Sequence, residues 1–315
     1  MIQLFMVQTS LKMRAVLLLV LGLAFPYGIQ FNAMAMAQTP PSNSRPFIVF
    51  DGTLYHNKPD FSAYKIQPIN IVYGQEFGND YFKQPDTLPN ESNIERVAIS
   101  ANIENIPAVL DIEHWALQLG ALEAVKSTQK YLAVLRQWKT HSVVPTGYYG
   151  NIPLRDYWRA IKGESHPDYL AWQAANDRVQ VLADYVDVLY PSLYTFYVDQ
   201  VGWKTYATEN IKEARRIAKG KPVYAFIWPQ YHPSDPKMAY NWISKDYWRM
   251  QLDTLAEIAD GIVIWGGWDF DNNRKAEWDN DAPWWKATKE FILTLEAKAL
   301  MDVKSPTAPM GIKVH

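Results

Sequence analysis

The segment PAVLDIEHW (residues 107–115) runs from a proline through an apolar stretch into two carboxylates, Asp111 and Glu113. Side chains of a β-strand alternate between its two faces, so residues i and i+2 point the same way, about 7 Å apart. Two like charges that close raise the pKa of at least one of them, because ionising the second costs more than ionising the first. Such a pair is unfavourable in a core and useful to an acid catalyst, so Asp111 and Glu113 are the candidate catalytic residues.

Six other short segments have the same apolar character. Together they predict strands at 46–52, 69–75, 107–113, 145–150, 186–194, 221–228 and 261–267. Strands that are apolar almost throughout are typical of parallel sheets buried on both faces. The sequence therefore predicts the α/β class, as a distorted TIM-like barrel of about seven parallel strands with surrounding helices. An open doubly wound sheet is the alternative, but no Gly-rich phosphate loop follows any strand.

Helices are expected between these strands. Helical spacing of apolar residues predicts them over 116–139 and at about 167–184, 204–219, 244–260 and 282–300. Ser92 and Glu95 match a capping box at the start of another helix. Gly220 and Gly261 are expected as helix C-terminal stops.

The first 37 residues read as a targeting segment. Lys12 and Arg14 precede an apolar run at 15–25, too short to span a bilayer comfortably, and Ala35 and Ala37 form an A-x-A cleavage site. We expect a signal peptide at 1–37, a flexible leader at 38–45, the barrel domain at 46–300 and a loose tail at 301–315. This predicts a secreted or periplasmic bacterial protein, with an uncleaved anchor as the alternative.

Composition narrows the classes of function. The chain has no cysteine, which excludes thiol catalysis and disulfides, and its net charge of −2 comes without a basic tract, so nucleic acid is not an expected partner. The six histidines form no metal-binding pattern, and no G-x-S-x-G elbow is present. We expect no metal, no cofactor, no membrane contact after signal cleavage, and a monomer whose partner is a polysaccharide substrate.

Aromatic and acidic residues recur where the predicted strands end. In barrels of this type the active site lies at those ends, and aromatic rings beside carboxylates suit sugars. The expected substrate-binding residues are Tyr73, Tyr148, Tyr149, Tyr194, Trp228, Trp265, Trp268 and Asp269. A structural role remains open for some of these residues and for the acidic pair. Asp111 and Glu113 could be structural residues held in salt bridges, and Tyr149 and Tyr194 could be core residues. Trp265 and Trp268 are three apart, so one of them could serve packing alone.

Five segments resemble the hyaluronidase family, in that family's order. They are AVLDIEHW (108–115), GYYGNIP (147–153), LYPSLY (189–194), NIKEARRIAKGKPVYAFIW (210–228) and GIVIWGGWDFDN (261–272). The resemblance covers about residues 46–290 and implies a distorted seven-stranded barrel. The family's Arg-Pro after the acidic pair is missing from this sequence.

The resemblance also implies roles for residues. Glu113 would be the general acid, and Asp111 would orient the substrate's N-acetyl group, whose carbonyl attacks the anomeric carbon in place of an enzyme nucleophile. Tyr149 and Tyr194 match the tyrosines that hold the acetamido group, and Trp265 matches the tryptophan lining its pocket. From the residues themselves, Glu113 needs a raised pKa, which apolar neighbours and the charge of Asp111 would supply.

The expected function is a secreted glycoside hydrolase. It would be a hyaluronidase-like endo-N-acetylhexosaminidase that cleaves an N-acetylhexosamine-containing polysaccharide with retention of configuration. A non-catalytic carbohydrate-binding barrel is one alternative. Another is a muramidase-like hydrolase that uses two carboxylates directly, with a second acid about 5–9 Å from Glu113. The candidates for that second acid are Asp51, Glu76 and Asp269.

Overall fold

A computed structural model describes residues 46–78 and 87–304. The predicted signal peptide, the flexible leader and residues 305–315 of the predicted tail lie outside the described residues. The last helix continues to Lys304, so the regular structure passes the expected boundary at residue 300. Among the described residues, no helix combines the length and the apolar character needed to cross a membrane.

Parallel strands form the centre of the fold, which confirms the α/β class. One sheet has the order β2-β1-β7-β6 and another the order β3-β4-β5. The strands are β1 (Ile48–Thr53), β2 (Gln67–Pro68), β3 (Asn70–Tyr73), β4 (Ala108–Asp111), β5 (Thr146–Tyr148), β6 (Tyr224–Ile227) and β7 (Gly261–Gly266). A short antiparallel hairpin follows, made of β8 (Trp268–Asp269) and β9 (Arg274–Lys275).

The strand predicted at 186–194 is present only as isolated parallel bridges. Tyr149 pairs with Tyr190, Leu189 with Val223, and Ser192 with Phe226. Pro191 has no N–H to give to a ladder, which explains why pairing does not extend through this segment. The seven-stranded barrel is therefore not seen as one continuous sheet. The segment nevertheless lies between the end of β5 and β6.

Helices follow the strands along the chain. They are α1 (Glu91–Glu104), α2 (Ala121–Lys139), α3 (Tyr157–Ala160), α4 (Pro167–Arg178), α5 (Gln180–Tyr185), α6 (Gln200–Ala218), α7 (Lys245–Ile258) and α8 (Pro283–Lys304). The helix predicted from residue 116 begins at 121, and the one predicted over 167–184 is divided in two.

Two expected helix ends are wrong. Asn90, not Ser92, caps α1, because its side chain accepts a hydrogen bond from the Ser92 backbone N–H. Gly261 is the first residue of β7 rather than a helix stop. A Cβ at Gly261 would run into the carbonyl oxygen of Ile48, so the close approach of β1 requires glycine there. Gly220 does follow the end of α6, with a positive φ.

The two faces of the strands bury two separate sets of side chains. Val109 of β4 belongs to an inner cluster that includes Phe50, Phe226 and Val263, whereas Leu110 packs outward with residues of the helices. Asp111 has the same parity as Val109, so its side chain belongs to the inner face. Side-chain alternation thus places Asp111 on the inside of the strand layer, at the carboxyl end of β4. The strand predicted over 107–113 ends at Asp111, so Glu113 lies in the following loop, where strand alternation does not set its direction.

Candidate active site

Asp111 is the last residue of β4 and is half-buried, with one carboxylate oxygen shielded from solvent. Its Oδ1 atom has no hydrogen-bond partner among the described residues. Burial raises the pKa of Asp111 well above its ordinary value, and the nearby charge of Glu113 raises it further. Buried acceptors are normally satisfied, so an unpaired carboxylate oxygen here is a strong sign of a binding or catalytic role.

Glu113 lies just beyond the strand end and lines a cavity. The cavity has a volume of about 310 Å³, and its polar lining includes Gln118, Tyr149, Asn151 and Arg155. Burial of the carboxyl raises the pKa of Glu113, although the residue surface as a whole is exposed, and the positive charge of Arg155 opposes that rise. The expected repulsion between the two acids therefore acts mainly on the pKa of Asp111.

Two neighbouring side chains hold the segment that carries the pair. The hydroxyl of Tyr131, on α2, lies 3.0 Å from the carbonyl oxygens of both Ile112 and Trp115. From the loop after β5, Asn151 Nδ2 donates to the Ile112 carbonyl at 3.2 Å. The backbone on both sides of Glu113 is thereby fixed by two elements that are distant in sequence.

Tyr149 and Tyr194 meet beside the pair. Their ring centroids are 5.9 Å apart, and Tyr149 shares a hydrogen bond of 3.0 Å with the hydroxyl of Ser192. Burial raises the pKa of both tyrosines, and the charge of Glu113 contributes for each of them. Both hydroxyls therefore stay neutral near pH 7 and can donate hydrogen bonds.

An aromatic wall continues from Tyr194. Its ring stacks on Trp265 with centroids 5.9 Å apart, and Trp228 stands nearly perpendicular to Trp265 at 5.0 Å. Trp265 Nε1 donates to the hydroxyl of Tyr73 at 3.1 Å, which joins the ends of β7 and β3. The charge of Asp111 also acts on the Tyr73 hydroxyl, whose pKa is raised chiefly by burial. The structure thus brings Tyr73, Tyr149, Tyr194, Trp228 and Trp265 together with the acidic pair.

The remaining predicted binding residues are Tyr148, Trp268 and Asp269, and of these Tyr148 points away from the cavity. Tyr148 is fully buried on the outer face, where its hydroxyl donates to the carbonyl of Tyr131 at 2.8 Å. It has the opposite parity to Tyr149, so strand alternation turns it away from the cavity. Trp268 and Asp269 form the short strand β8, and Asp269 accepts hydrogen bonds from Asn272 in the hairpin turn. The Asn272 side chain holds the pKa of Asp269 below its ordinary value.

The other two candidate second acids also serve local structure. Asp51 accepts hydrogen bonds from Thr53 at 2.9 and 2.6 Å and pairs with Lys58 Nζ at 2.6 Å. Glu76 Oε1 accepts from the backbone N–H of Tyr73 at 2.9 Å. Each of these carboxylates has protein partners, unlike Asp111 Oδ1.

Arg155 is the main site residue that the sequence did not reveal. It lines the cavity beside Glu113, and its Nη1 atom donates to Ser192 Oγ at 3.3 Å. Its backbone carbonyl accepts from Gln118 Nε2 at 3.1 Å, which links the two loops that form the cavity. Arg155 lies in a loop, where no periodic pattern marks side-chain direction. Within the described part of the chain, no group of three or more His, Cys, Asp or Glu residues is placed to hold a metal ion.

Comparison with known proteins shows a likeness of fold alone. No protein-family model matches the chain, and no curated protein sequence matches it. The crystal structure of bee venom hyaluronidase in a monoclinic form matches 81% of this chain and 98% of its own, with 16% identity and a TM-score of 0.51. The same enzyme in complex with a hyaluronic acid tetramer matches 81% of this chain and 96% of its own, with 17% identity and a TM-score of 0.53. Over four fifths of its length, the chain is therefore similar in fold to bee venom hyaluronidase.

Proposed function

We propose that this protein is a glycoside hydrolase that acts on a polysaccharide containing N-acetylhexosamine. The observation that carries the proposal is the acidic pair itself. Asp111 ends a parallel strand on its inner face with a buried, unpaired oxygen, and Glu113, two residues further on, lies on the wall of a cavity. Keeping such a pair costs folding free energy, which a catalytic role accounts for.

Glu113 is the general acid in this proposal. Burial raises the pKa of both carboxyls, so the pair holds a proton to higher pH than two ordinary carboxyls would. Of the two acids, Glu113 is the one on the cavity wall, so in this proposal Glu113 presents that proton to a bound glycosidic oxygen. Transfer of the proton breaks the glycosidic bond, and the resulting carboxylate later takes a proton from the attacking water.

The substrate's acetamido carbonyl supplies the nucleophile in this scheme. It bonds to the anomeric carbon as the leaving group departs, and water then opens the intermediate with net retention. Asp111 Oδ1 is a free acceptor for the acetamido N–H, and neutral Tyr194 beside it is a donor for the carbonyl. Trp265, stacked on Tyr194, would form the apolar wall against the acetamido methyl.

Direct use of two carboxylates has less support. That mechanism needs a second acid facing Glu113 across the sugar. The three candidates, Asp51, Glu76 and Asp269, accept hydrogen bonds from Thr53, Tyr73 and Asn272. A substrate-assisted route requires no such residue.

The proposed function also includes the type of substrate, a seven-stranded barrel fold and a location outside the cytoplasm. The likeness in fold to an enzyme solved with a hyaluronic acid tetramer supports a polymeric, N-acetylated substrate. The bridges of the 186–194 segment to Tyr149 and to Phe226 support a barrel of seven strands with this segment as one of them. We propose further that the protein is an endo-acting monomer, secreted or periplasmic, without a nucleic acid partner.

The test is product release from a panel of N-acetylated glycans, with the wild type compared against Glu113→Gln. The amide keeps the shape of the side chain and removes the titrating proton, so the rate should fall about 10²- to 10⁴-fold while substrate binding persists. Glu123→Gln is the matched control, since Glu123 is an exposed acid on α2 that pairs with Lys126. This control should retain the wild-type rate.

Other outcomes would favour one of the two alternative functions or refute the role of the acidic pair. Binding without cleavage by the wild type would favour the carbohydrate-binding alternative. Loss of activity in Glu76→Gln or Asp51→Asn would favour direct catalysis by two carboxylates. Undiminished cleavage by Glu113→Gln would overturn the role of the pair.

A further inference from the structure

An exposed aromatic surface lies next to the cavity and takes no part in the chemistry proposed above. Trp158 is 59% exposed and contacts the ring of Tyr197; Val198 and Val201, which follow Tyr197 in sequence, are 63% and 79% exposed. Single exposed apolar residues are ordinary, but an exposed indole in contact with a second aromatic ring, with two exposed valines close by in sequence, is a candidate binding surface. Trp158, Tyr197, Val198 and Val201 are called the outer platform below.

The Trp158 ring is held in place without being covered. Its centroid is 5.1 Å from that of Tyr157 and 5.3 Å from that of Tyr197, with interplanar angles of 77° and 51°. Both contacts are inclined rather than stacked, so neither ring covers the indole as a parallel ring would. Tyr157 is itself buried and packs on Tyr206 at 5.1 Å, which anchors the group.

A series of contacts joins the outer platform to the cavity. The Arg155 guanidinium, on the cavity wall, lies 5.4 Å from the ring centroid of Phe196. Phe196 is followed by Tyr197 at 6.3 Å, and Tyr197 by Trp158. Trp158 also lies only three residues after Arg155. An unbroken series of side-chain contacts therefore joins the cavity wall to the outer platform.

From this continuity we propose that the outer platform is a stacking subsite for a further sugar unit of the polysaccharide chain, beyond the units next to Glu113. The inference rests on the proposed function and deepens it. A pyranose presents several C–H bonds on one face, and an exposed, immobilised indole is a suitable partner for that face. A polysaccharide that leaves the cavity past Arg155 would pass next to Trp158.

The proposal predicts a dependence on chain length. Calorimetric binding of hyaluronan and chitin oligosaccharides, as tetrasaccharides and decasaccharides, is measured on the full chain carrying Glu113→Gln to prevent cleavage. Adding Trp158→Ala should weaken decasaccharide binding about tenfold. It should change tetrasaccharide binding by less than about twofold, since a short ligand fills the cavity alone.

Two variants control the experiment. Trp158→Tyr keeps an aromatic ring and should restore most of the decasaccharide affinity. Tyr185→Ala removes another exposed aromatic residue. Tyr185 is 40% exposed, packs against Arg136, and directly precedes the 186–194 segment, at the opposite end of the strands. This variant should bind both lengths as the parent does.

Several outcomes would overturn the proposal. Equal weakening of both lengths, or none, would refute the stacking subsite and leave the proposed function standing if the wild type still cleaves. Absence of any binding and any cleavage would refute both. Concentration-dependent self-association that Trp158→Ala abolishes, with glycan binding unchanged, would make this face a protein interface instead.

Discussion

β1 and β4 each carry an aspartate at or near the carboxyl end, and the two aspartates have opposite surroundings. Asp51 accepts two hydrogen bonds from Thr53 and pairs with Lys58 at 2.6 Å. Asp111 has a buried, unpaired Oδ1 atom and has Glu113 as its charged neighbour. A strand-end position alone thus does not distinguish a structural acid from a catalytic one.

Side-chain parity explains the difference. Asp51 has the parity of Val49, which packs in the outer cluster, whereas Asp111 has that of Val109 in the inner cluster. On the outer side, Asp51 meets its partners Thr53 and Lys58. On the inner side, the site leaves an acceptor unsatisfied, which is what a substrate hydrogen bond requires.

The largest expected effect belongs to Asp111→Asn. Loss of the charge beside the acetamido group should lower kcat about 10²- to 10³-fold on whichever glycan the wild type cleaves. The free energy of unfolding of this variant should rise above that of the wild type, because the pKa of Asp111 is raised in the folded state. The carboxylate therefore costs stability as the pH rises above its ordinary value of 3.8.

Chemical denaturation between pH 4 and pH 8 measures the second half of this prediction. The stability advantage of Asp111→Asn over the wild type should be small at the acid end and should grow with pH. An advantage that shrinks with increasing pH would contradict the raised pKa.

The second-largest effect is expected at Asp51 on β1, where the substitution should lower stability rather than activity. Asp51→Asn leaves the Lys58 ammonium without its carboxylate, so the free energy of unfolding should fall by about 1–3 kcal/mol. Cleavage by the folded protein should persist, because Asp51 lies on the outer face. Urea denaturation and the rate per folded molecule test the two parts. A stable but inactive Asp51→Asn would erase the contrast between the two strand ends.

The smallest expected effect is a shift in the pH profile, and it tests the basic side chain next to the acidic pair. Lys58 contacts Asp51 directly, whereas Arg155 acts on Glu113 through its charge and lowers the pKa of that carboxyl. Arg155→Met should therefore raise the pKa of Glu113 and move the alkaline limb of the kcat/KM profile to higher pH. Arg155→Lys should leave that limb near its wild-type position, because the charge is kept.

Arg159→Met is the matched control for Arg155→Met. Arg159 is a nearby arginine on α3 that pairs with Asp156 at 2.6 Å, and its loss should not move the profile. An alkaline limb that stays in place in Arg155→Met, or moves to lower pH, would contradict the proposed influence of Arg155 on Glu113.

Features of the site that lie on strands are the predictable ones. The sequence predicts Asp111 and Glu113 on one face from their i, i+2 spacing, but β4 ends at Asp111, so the period of two applies to Asp111 alone. Tyr148 and Tyr149 are both predicted as binding residues, whereas strand alternation places Tyr148 in the core. Trp268 and Asp269 are predicted beyond the end of the last strand, where they form a short hairpin whose turn the apolar pattern does not encode.

The sequence by itself determined the parallel α/β class, most of the strand positions and the place of Asp111 at the end of a buried strand, because these depend on local apolar runs and their length. Only the tertiary structure decided which acids are paired and which are not, since Lys58 reaches Asp51 through a loop. It also decided that Arg155, Asn151 and Ser192 join the site. These residues lie in loops or in the irregular 186–194 segment, where no period orients a side chain. Their direction is set by contacts between segments distant along the chain.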